Sequence, residues 1–377
     1  MGKEVCSRKA RVLENVVEDR IGTLLLFLSP PQKEIPMRYI GADLHKKSIT
    51  FCVVETDRQT INVVKRQRIM CCEVHRIEEF LKSHTPCEVT VEATIGYEWF
   101  ATLAAETATK VVLAHAGKLR VIAESTRKTD KIDAYVLAEF LARNMIPAAW
   151  QPTARVRQHR ALVRRRCKVQ SRITSIKNTL RGILTRYNKD LSHLFSKVGR
   201  EHYETIKASL LAEDAWVLDD LFEELKQQTT RLKKVDDHLV EFAATAPVKE
   251  REARAVLDSM PGVGAVTIDT ILAELGDWTR FRNADAVVSY AGLDPGVRES
   301  DGHRKDLKIS KAGSSLLRWI MIQLAHRMKR TTVRWARAFE QISRRAGKKK
   351  ATVAIARRLL LVVFAMLRDG RAYQMAA

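Results

Sequence analysis

Long apolar runs, cysteine pairs and acidic residues are all in short supply in this chain. The longest uninterrupted apolar stretches, such as Leu24 to Leu28 and Leu359 to Met366, fall far below the roughly 20 residues that a helix needs to cross a bilayer. The sequence therefore gives no reason to expect a membrane-spanning helix. Six cysteines are present, at positions 6, 52, 71, 72, 87 and 167, but none forms a CxxC pair and no histidine cluster completes a zinc pattern. Reduced thiols in a cytosol are the expectation. Acids number 44 against 66 Lys and Arg, a formal charge of +22, which points to a polyanionic partner and above all to nucleic acid. Residues 1–37 lack the basic-then-apolar layout of a secretory leader and break at Ser29-Pro30-Pro31. They read as an N-terminal extension, and the expected location is the cytoplasm, on the nucleoid.

What is present divides 377 residues into three further segments. Over 38–150, short apolar runs at Tyr39–Leu44, Ile49–Glu55 and Thr60–Arg66 suggest three strands in an antiparallel meander. Helices near Val74–Ser83 and Tyr97–Glu106 then alternate with strands at Cys87–Ala93 and Lys110–Ala114, which implies a mixed α/β sheet covered on its faces. Two carboxylates are out of place there. Asp43 sits in an apolar strand and Glu92 closes another, where an ionised group is costly without compensation. In Lys128-Thr129-Asp130-Lys131-Ile132-Asp133-Ala134, which opens an apolar helical run to about Arg143, Asp130 and Asp133 stand one turn apart on one face. Capping and dipole compensation would account for that pair alone. Together, the four carboxylates make a hard oxygen set suited to Mg²⁺ or Mn²⁺, and two such ions could serve an in-line phosphoryl transfer.

Over 151–247 the apolar residues recur at steps of three and four, first from Leu162 to Leu194 and again from Leu218 to Phe242. This predicts two long helices in an antiparallel, coiled-coil hairpin. Arg166 and Gln228 interrupt the seams. Between Arg155 and Lys189 there are twelve Lys or Arg and no acid. Arg155, Arg157, Arg160, Arg164, Arg165, Arg166, Lys168 and Arg172 are accordingly candidates for phosphate contact, because a helix face of one sign repels itself unless something neutralises it.

The last segment, 248–377, is expected to be mainly helical. Ser259-Met260-Pro261-Gly262-Val263-Gly264 reads as a helix-hairpin-helix-like turn in which Gly262 and Gly264 could present backbone N–H groups to a phosphate. From Ala291 to Lys305 the chain is polar, glycine-rich and charged, and reads as a long functional loop. Arg298, Arg304, Lys305 and Lys311 are candidate phosphate clamps. Arg344 to Lys350 forms a basic loop before a packing helix, Ala351 to Leu367.

The motifs Tyr39-Ile40-Gly41-Ala42-Asp43, Val91-Glu92-Ala93-Thr94 and Lys128 to Ala134, with Pro261-Gly262-Val263-Gly264, Ala291-Gly292-Leu293-Asp294-Pro295 and Ile309-Ser310-Lys311-Ala312-Gly313, resemble those of the DEDD insertion-sequence transposases of the bridge-RNA-guided 110 type, related to pilin-gene invertases. The resemblance implies an RNase-H-like, RuvC-type first domain with a metal-binding tetrad at Asp43, Glu92, Asp130 and Asp133. It implies a nucleophilic serine at Ser300, which attacks a DNA phosphate, and Ser310 is the competing serine, with turn capping as its ordinary role. Asp301 stands where the family commonly has glycine. Implied partners are element-end and target DNA, an element-encoded guide RNA and further copies of the chain, as a dimer or tetramer with a shared active site. Two alternatives stay open: a junction-resolvase-like nuclease using water, and a basic nucleic-acid-binding protein without chemistry.

Overall fold

The computed structural model describes residues 36–57, 60–122, 130–300 and 303–374, so all but the last two residues of the N-terminal extension lie outside the described residues. The chain divides into two compact units, Met1–Gln151 and Pro152–Ala377.

The first unit is built on a five-stranded sheet of order β3-β2-β1-β4-β5. Its strands are β1 (Arg38–Leu44), β2 (Ser48–Asp57), β3 (Thr60–Met70), β4 (Cys87–Glu92) and β5 (Lys110–Ala114). The first three form the antiparallel meander that their β-branched content foretells, and β1, β4 and β5 run parallel. Helices α1 (Val74–Lys82), α2 (Tyr97–Ala105), α3 (Ala116–Ile122) and α4 (Asp130–Ala142) complete the unit. Side chains alternate across a strand. Ile40, Ala42, Phe51, Val53, Val89 and Val91 accordingly pack on one side with Ile77, Phe80 and Phe100, whereas Tyr39, Cys52 and Val54 pack on the other with Ala134 and Ala138 of α4. Gly41 lies between these last groups. A Cβ there would stand 2.1 Å from the Ala134 carbonyl oxygen and 2.5 Å from the Ala138 amide nitrogen. Only a residue without a side chain lets the helix backbone settle on the strand.

The second unit contains two 33-residue helices, α5 (Ala154–Arg186) and α7 (Ala212–Ala244). Val163 packs with Leu239 at one end and Leu180 and Leu184 with Leu218 at the other, so the pair is antiparallel. The apolar period runs on to Leu194, but the helix does not. It ends at Arg186, Asn188 takes a left-handed φ of 55°, and an additional helix, α6 (Lys197–Lys207), intervenes. Leu191, Leu194 and Tyr203 fold back onto the ends of α5 and α7. In the seam Gln228 is 5% exposed, and its Oε1 has no hydrogen-bond partner among the described residues.

The remaining helices are α8 (Val248–Asp258), α9 (Ala265–Leu275), α10 (Ala284–Tyr290), α11 (Ser315–Thr331), α12 (Val333–Ala346) and α13 (Lys348–Asp369), with a 3₁₀ turn at Trp278–Arg280. They share one core, in which Leu257, Ile271, Leu275, Val287, Leu317, Leu324, Ile355, Leu359 and Val363 meet. The apolar α13 is therefore the centre of a packed domain, and among the described residues no helix is long and apolar enough to cross a membrane. The segment expected to be an irregular loop is instead an antiparallel hairpin of β6 (Pro295–Ser300) and β7 (His303–Ile309). Its strands are mostly charged or polar, so no apolar alternation announced them.

Two substitutions test these packings. Gly41→Ala must push α4 off β1 and should destabilise the first unit by at least about 1–3 kcal/mol, the usual cost of overpacking, with loss of helical CD signal at a lower denaturant concentration. Gln228→Leu removes a buried unpaired oxygen and should raise stability by about 1–2 kcal/mol in the same titration; a loss of stability would show that the polar atom has a partner in solution.

Candidate active site

Four carboxylates were candidates for a metal centre, and the fold brings their backbone positions to one end of the sheet. β1 and β4 are parallel neighbours whose register pairs Ala42 with Val91, so Asp43 and Glu92 are the next residues along the two strands. Both are half-buried. Gly41 faces α4, and by alternation Asp43 points to that same side; Val89 and Val91 belong to the opposite core, which puts Glu92 on the α4 side as well. Because Gly41 is covered by Ala134, the first turn of α4 continues past it toward the ends of β1 and β4. That turn carries Asp130, whose side chain lies outside the described residues, and Asp133, which is exposed. Crevices at the carboxyl ends of strands are the usual ligand sites of open α/β sheets.

The chemistry of this end of the sheet is oxygen-rich. Asp43 accepts a 3.0 Å hydrogen bond from Nε2 of His45, whereas among the described residues the Glu92 carboxylate has no ion pair. Thr50, the register partner of Asp43, and Thr90, two residues before Glu92, each bury an Oγ1 with no hydrogen-bond partner among the described residues. Carboxylates and unpaired hydroxyls on one face fit a hard divalent cation better than a soft one. Among the described residues, no group of three or more His, Cys, Asp or Glu side chains is yet drawn together as a metal cage.

The second unit holds the other candidates. Ser300 is the last residue of β6 and pairs with His303 across the hairpin, at its tip, and Asp301 lies outside the described residues. Arg298 and Lys305 face each other in the register, with Arg304 next to Lys305; the side chains of all three lie outside the described residues. The base of this hairpin is firmly held. The amides of Ser310, Lys311 and Ser314 donate to the carbonyls of Asp294, Gly292 and Tyr290 at 3.0, 3.2 and 2.9 Å. A Cβ at Gly313 would fall 1.8 Å from the Tyr290 oxygen, and Lys311 adopts a φ of 55°. Ser310 donates to the Asp294 carboxylate at 2.5 Å and accepts from the Ala312 amide at 3.4 Å, the geometry of a turn cap. Of the turn glycines, Gly262 has a φ of 76° and its carbonyl accepts from Arg327 at 3.0 Å, whereas Gly264 is extended and has open space around it.

The basic run on α5 is partly engaged within the fold. Its charge was expected to await phosphates, yet much of it is neutralised within the chain by acids from other elements. Arg155 bonds Glu250 at 2.5 Å, Arg164 grips Glu274 with two bonds of 3.0 and 3.2 Å, and Arg166 reaches Asp236 on α7 at 2.6 Å. Arg160 donates to the carbonyls of Ala273 and Glu274, and Arg157 to that of Pro152. Arg165, Lys168 and Arg172 remain exposed, with no ion pair among the described residues.

Two buried acids that anchor α5 were missed. Asp269 and Glu274 are 5% and 1% exposed on the apolar helix α9. Asp269 takes hydrogen bonds from His159 at 2.9 Å and Arg254 at 2.7 Å, and Glu274 also receives Ser314 Oγ at 2.8 Å. The signal that singled out Asp43, an acid inside an apolar element, was available for both. Burial by itself would raise the Asp269 carboxyl, but the His159 bond and the Arg254 charge outweigh it and hold it below the usual carboxylate range. Glu250 is likewise depressed, burial being outweighed by bonds from Arg155 and Arg254. Groups with depressed folded-state values contribute stability at neutral pH that is lost as pH falls through them. The stability gap between the parent chain and Asp269→Asn should therefore be widest near neutrality and shrink below about pH 4. Denaturant titrations across that range would measure it, and a constant gap would contradict the assignment.

Comparison with known proteins sets these features in context. A transposase family model of the DEDD, insertion sequence 110 type matches residues 40–189, and the model described as the transposase IS116/IS110/IS902 family matches residues 254–341. Together they take in well over half of the chain. Relatives include the transposase for insertion sequence element IS1111A of Coxiella burnetii, 26% identical over 67% of this chain and 70% of that protein. The pilin gene-inverting protein of Moraxella bovis is 24% identical over 89% of this chain and 97% of its own length, and a probable family 20 transposase of Pseudomonas aeruginosa is 23% identical over 89% and 98%.

Proposed function

Because the chain belongs to the DEDD insertion-sequence transposases of the 110 family, we propose that it cuts and rejoins DNA by metal-assisted attack of Ser300 on a phosphodiester. The observation that carries the reading is the register of β1 and β4, which sets Asp43 beside Glu92 under the helix that begins with Asp130 and Asp133. These four residues would hold Mg²⁺ or Mn²⁺, which when bound supplies positive charge to the attacking and departing oxygens. Ser300 Oγ forms a bond to phosphorus as the bond from phosphorus to the departing strand breaks. The serine proton passes to solvent, and the departing oxygen leaves as a hydroxyl. One phosphodiester is exchanged for another, so the reverse step rejoins DNA without an outside energy source.

Ser300 is favoured over Ser310 because it stands at a hairpin tip, whereas Ser310 is engaged as a turn cap. The clamped hairpin base supports the same reading, since a nucleophile must be delivered to within about 3–3.5 Å of phosphorus. In this reading Ser300 comes from a second copy of the chain, and an element-encoded guide RNA chooses the DNA. Exposed Arg165, Lys168 and Arg172, with the hairpin cations Arg298, Arg304, Lys305 and Lys311, are the proposed phosphate contacts.

The test is a denaturant-stable protein–DNA adduct formed from element-end DNA, transcript from the element's flanks and Mg²⁺. The adduct is expected in the parent chain and should be lost in both Ser300→Ala and Asp130→Ala. Cleavage without an adduct that survives Ser300→Ala but not Asp130→Ala would replace this mechanism with hydrolysis by water.

A further inference from the structure

From Gln341 to Arg368 the chain contains no Asp or Glu, and five of its cations crowd one turn: Arg344 and Arg345 at the end of α12, and Lys348, Lys349 and Lys350 at the start of α13. On α5 a comparable acid-free run is answered by Asp236, Glu250 and Glu274 from other elements. Further along this run Arg357 and Arg368 meet Asp285 and Asp369, but at the turn no acid answers among the described residues. All five side chains are exposed and none makes an ion pair or a hydrogen bond among the described residues; Glu340, one turn before Arg344, does not bond it.

The placement also runs against local electrostatics. Cations favour a helix C-terminus, which suits Arg344 and Arg345, but Lys348, Lys349 and Lys350 occupy the positive end of α13. That first turn contains no acid, and Gly347, at a φ of 82°, offers it no side-chain cap. A chain that breaks a local rule without an internal compensation commonly does so for a function. The aromatic residues nearby are already occupied. Trp335 is 4% exposed and donates to Tyr373, and Phe339 lies under the Lys329 ammonium at 4.0 Å. With these two rings engaged, the turn presents cations rather than aromatic faces, which suits the phosphates of a duplex better than the bases of a single strand.

We propose that the α12–α13 turn is a sequence-independent contact to the phosphate backbone of duplex DNA, separate from the α5 face and the serine hairpin. It rests on the reading that the chain acts on DNA. Binding of the full-length protein to a labelled random-sequence duplex, followed by anisotropy from about 50 to 200 mM KCl, tests it through counterion release. The triple variant Lys348→Gln, Lys349→Gln, Lys350→Gln should bind about tenfold more weakly and reduce the slope of log K against log salt by about 2–3, one unit per lost phosphate contact. Its melting temperature should hold or rise, because the substitutions relieve the helix dipole. Arg231→Gln, Lys233→Gln, Lys234→Gln on the mixed-sign helix α7 removes the same charge and should leave the slope unchanged.

An unchanged slope in the α13 variant, an equal fall in the α7 control, or a loss confined to a single-stranded transcript would each overturn the proposal. Asp43→Asn separates it from the catalytic reading, since that variant should abolish the covalent adduct while keeping the full salt slope. A chain that never forms the adduct but shows the expected slope change would sink the serine mechanism and leave this contact standing.

Discussion

Helix α4 rests on β1 at a distance that only a missing side chain permits. Ala134 covers Gly41, and from that contact the position of the whole acidic end of the sheet follows. Asp43 is two residues beyond Gly41 on the same face, and Glu92 is held beside it by parallel pairing. Asp130 and Asp133 lie in the turn of α4 that projects past the glycine. No hydrogen bond between the four carboxylates is needed, or possible while all are ionised. Backbone packing, through the close helix–strand approach, is therefore what sets the positions of these residues at one end of the sheet.

The second unit solves a different problem, that of excess positive charge along α5. There the fixed element is α9, an apolar helix carrying two buried acids. Asp269 and Glu274 would be costly if unpaired, and each is satisfied by several donors drawn from distant parts of the chain. Glu274 joins Arg164 to Ser314, the residue that caps α11. Through Ser314 the anchoring of α5 continues into the backbone clamp beneath the β6–β7 hairpin. Charge neutralisation and the positioning of the serine loop are thus one network.

How much of this was legible in the sequence depended on whether a residue's environment was local. The meander, the parallel strands and the long helices followed from apolar spacing, which reports burial directly. Asp43 and Glu92 stood out because ionised groups seldom interrupt apolar strands. Gly41 was quoted in a motif, but its role could not be seen, since the helix that needs its missing side chain lies some ninety residues further on. The β6–β7 hairpin was hidden because charged strands carry no apolar alternation. The internal partners of α5 were hidden for a related reason: its neutralising acids are far away in sequence, on α7, α8 and α9.

Those distant acids carry a general point about basic proteins. A run of cations in one helix says how much charge must be balanced but not by what. Arg155, Arg164 and Arg166 are balanced within the fold, whereas Arg165, Lys168 and Arg172 on the same helix have no ion pair among the described residues. By the number of Lys and Arg it carries, α5 ranks first among the helices. Subtracting the cations that already have partners changes that ranking, because the α12–α13 turn keeps all five of its charges unpaired among the described residues. The residual unpaired charge, which needs the tertiary structure to be known, is the quantity that selects where phosphates can be held without first breaking the protein's own ion pairs.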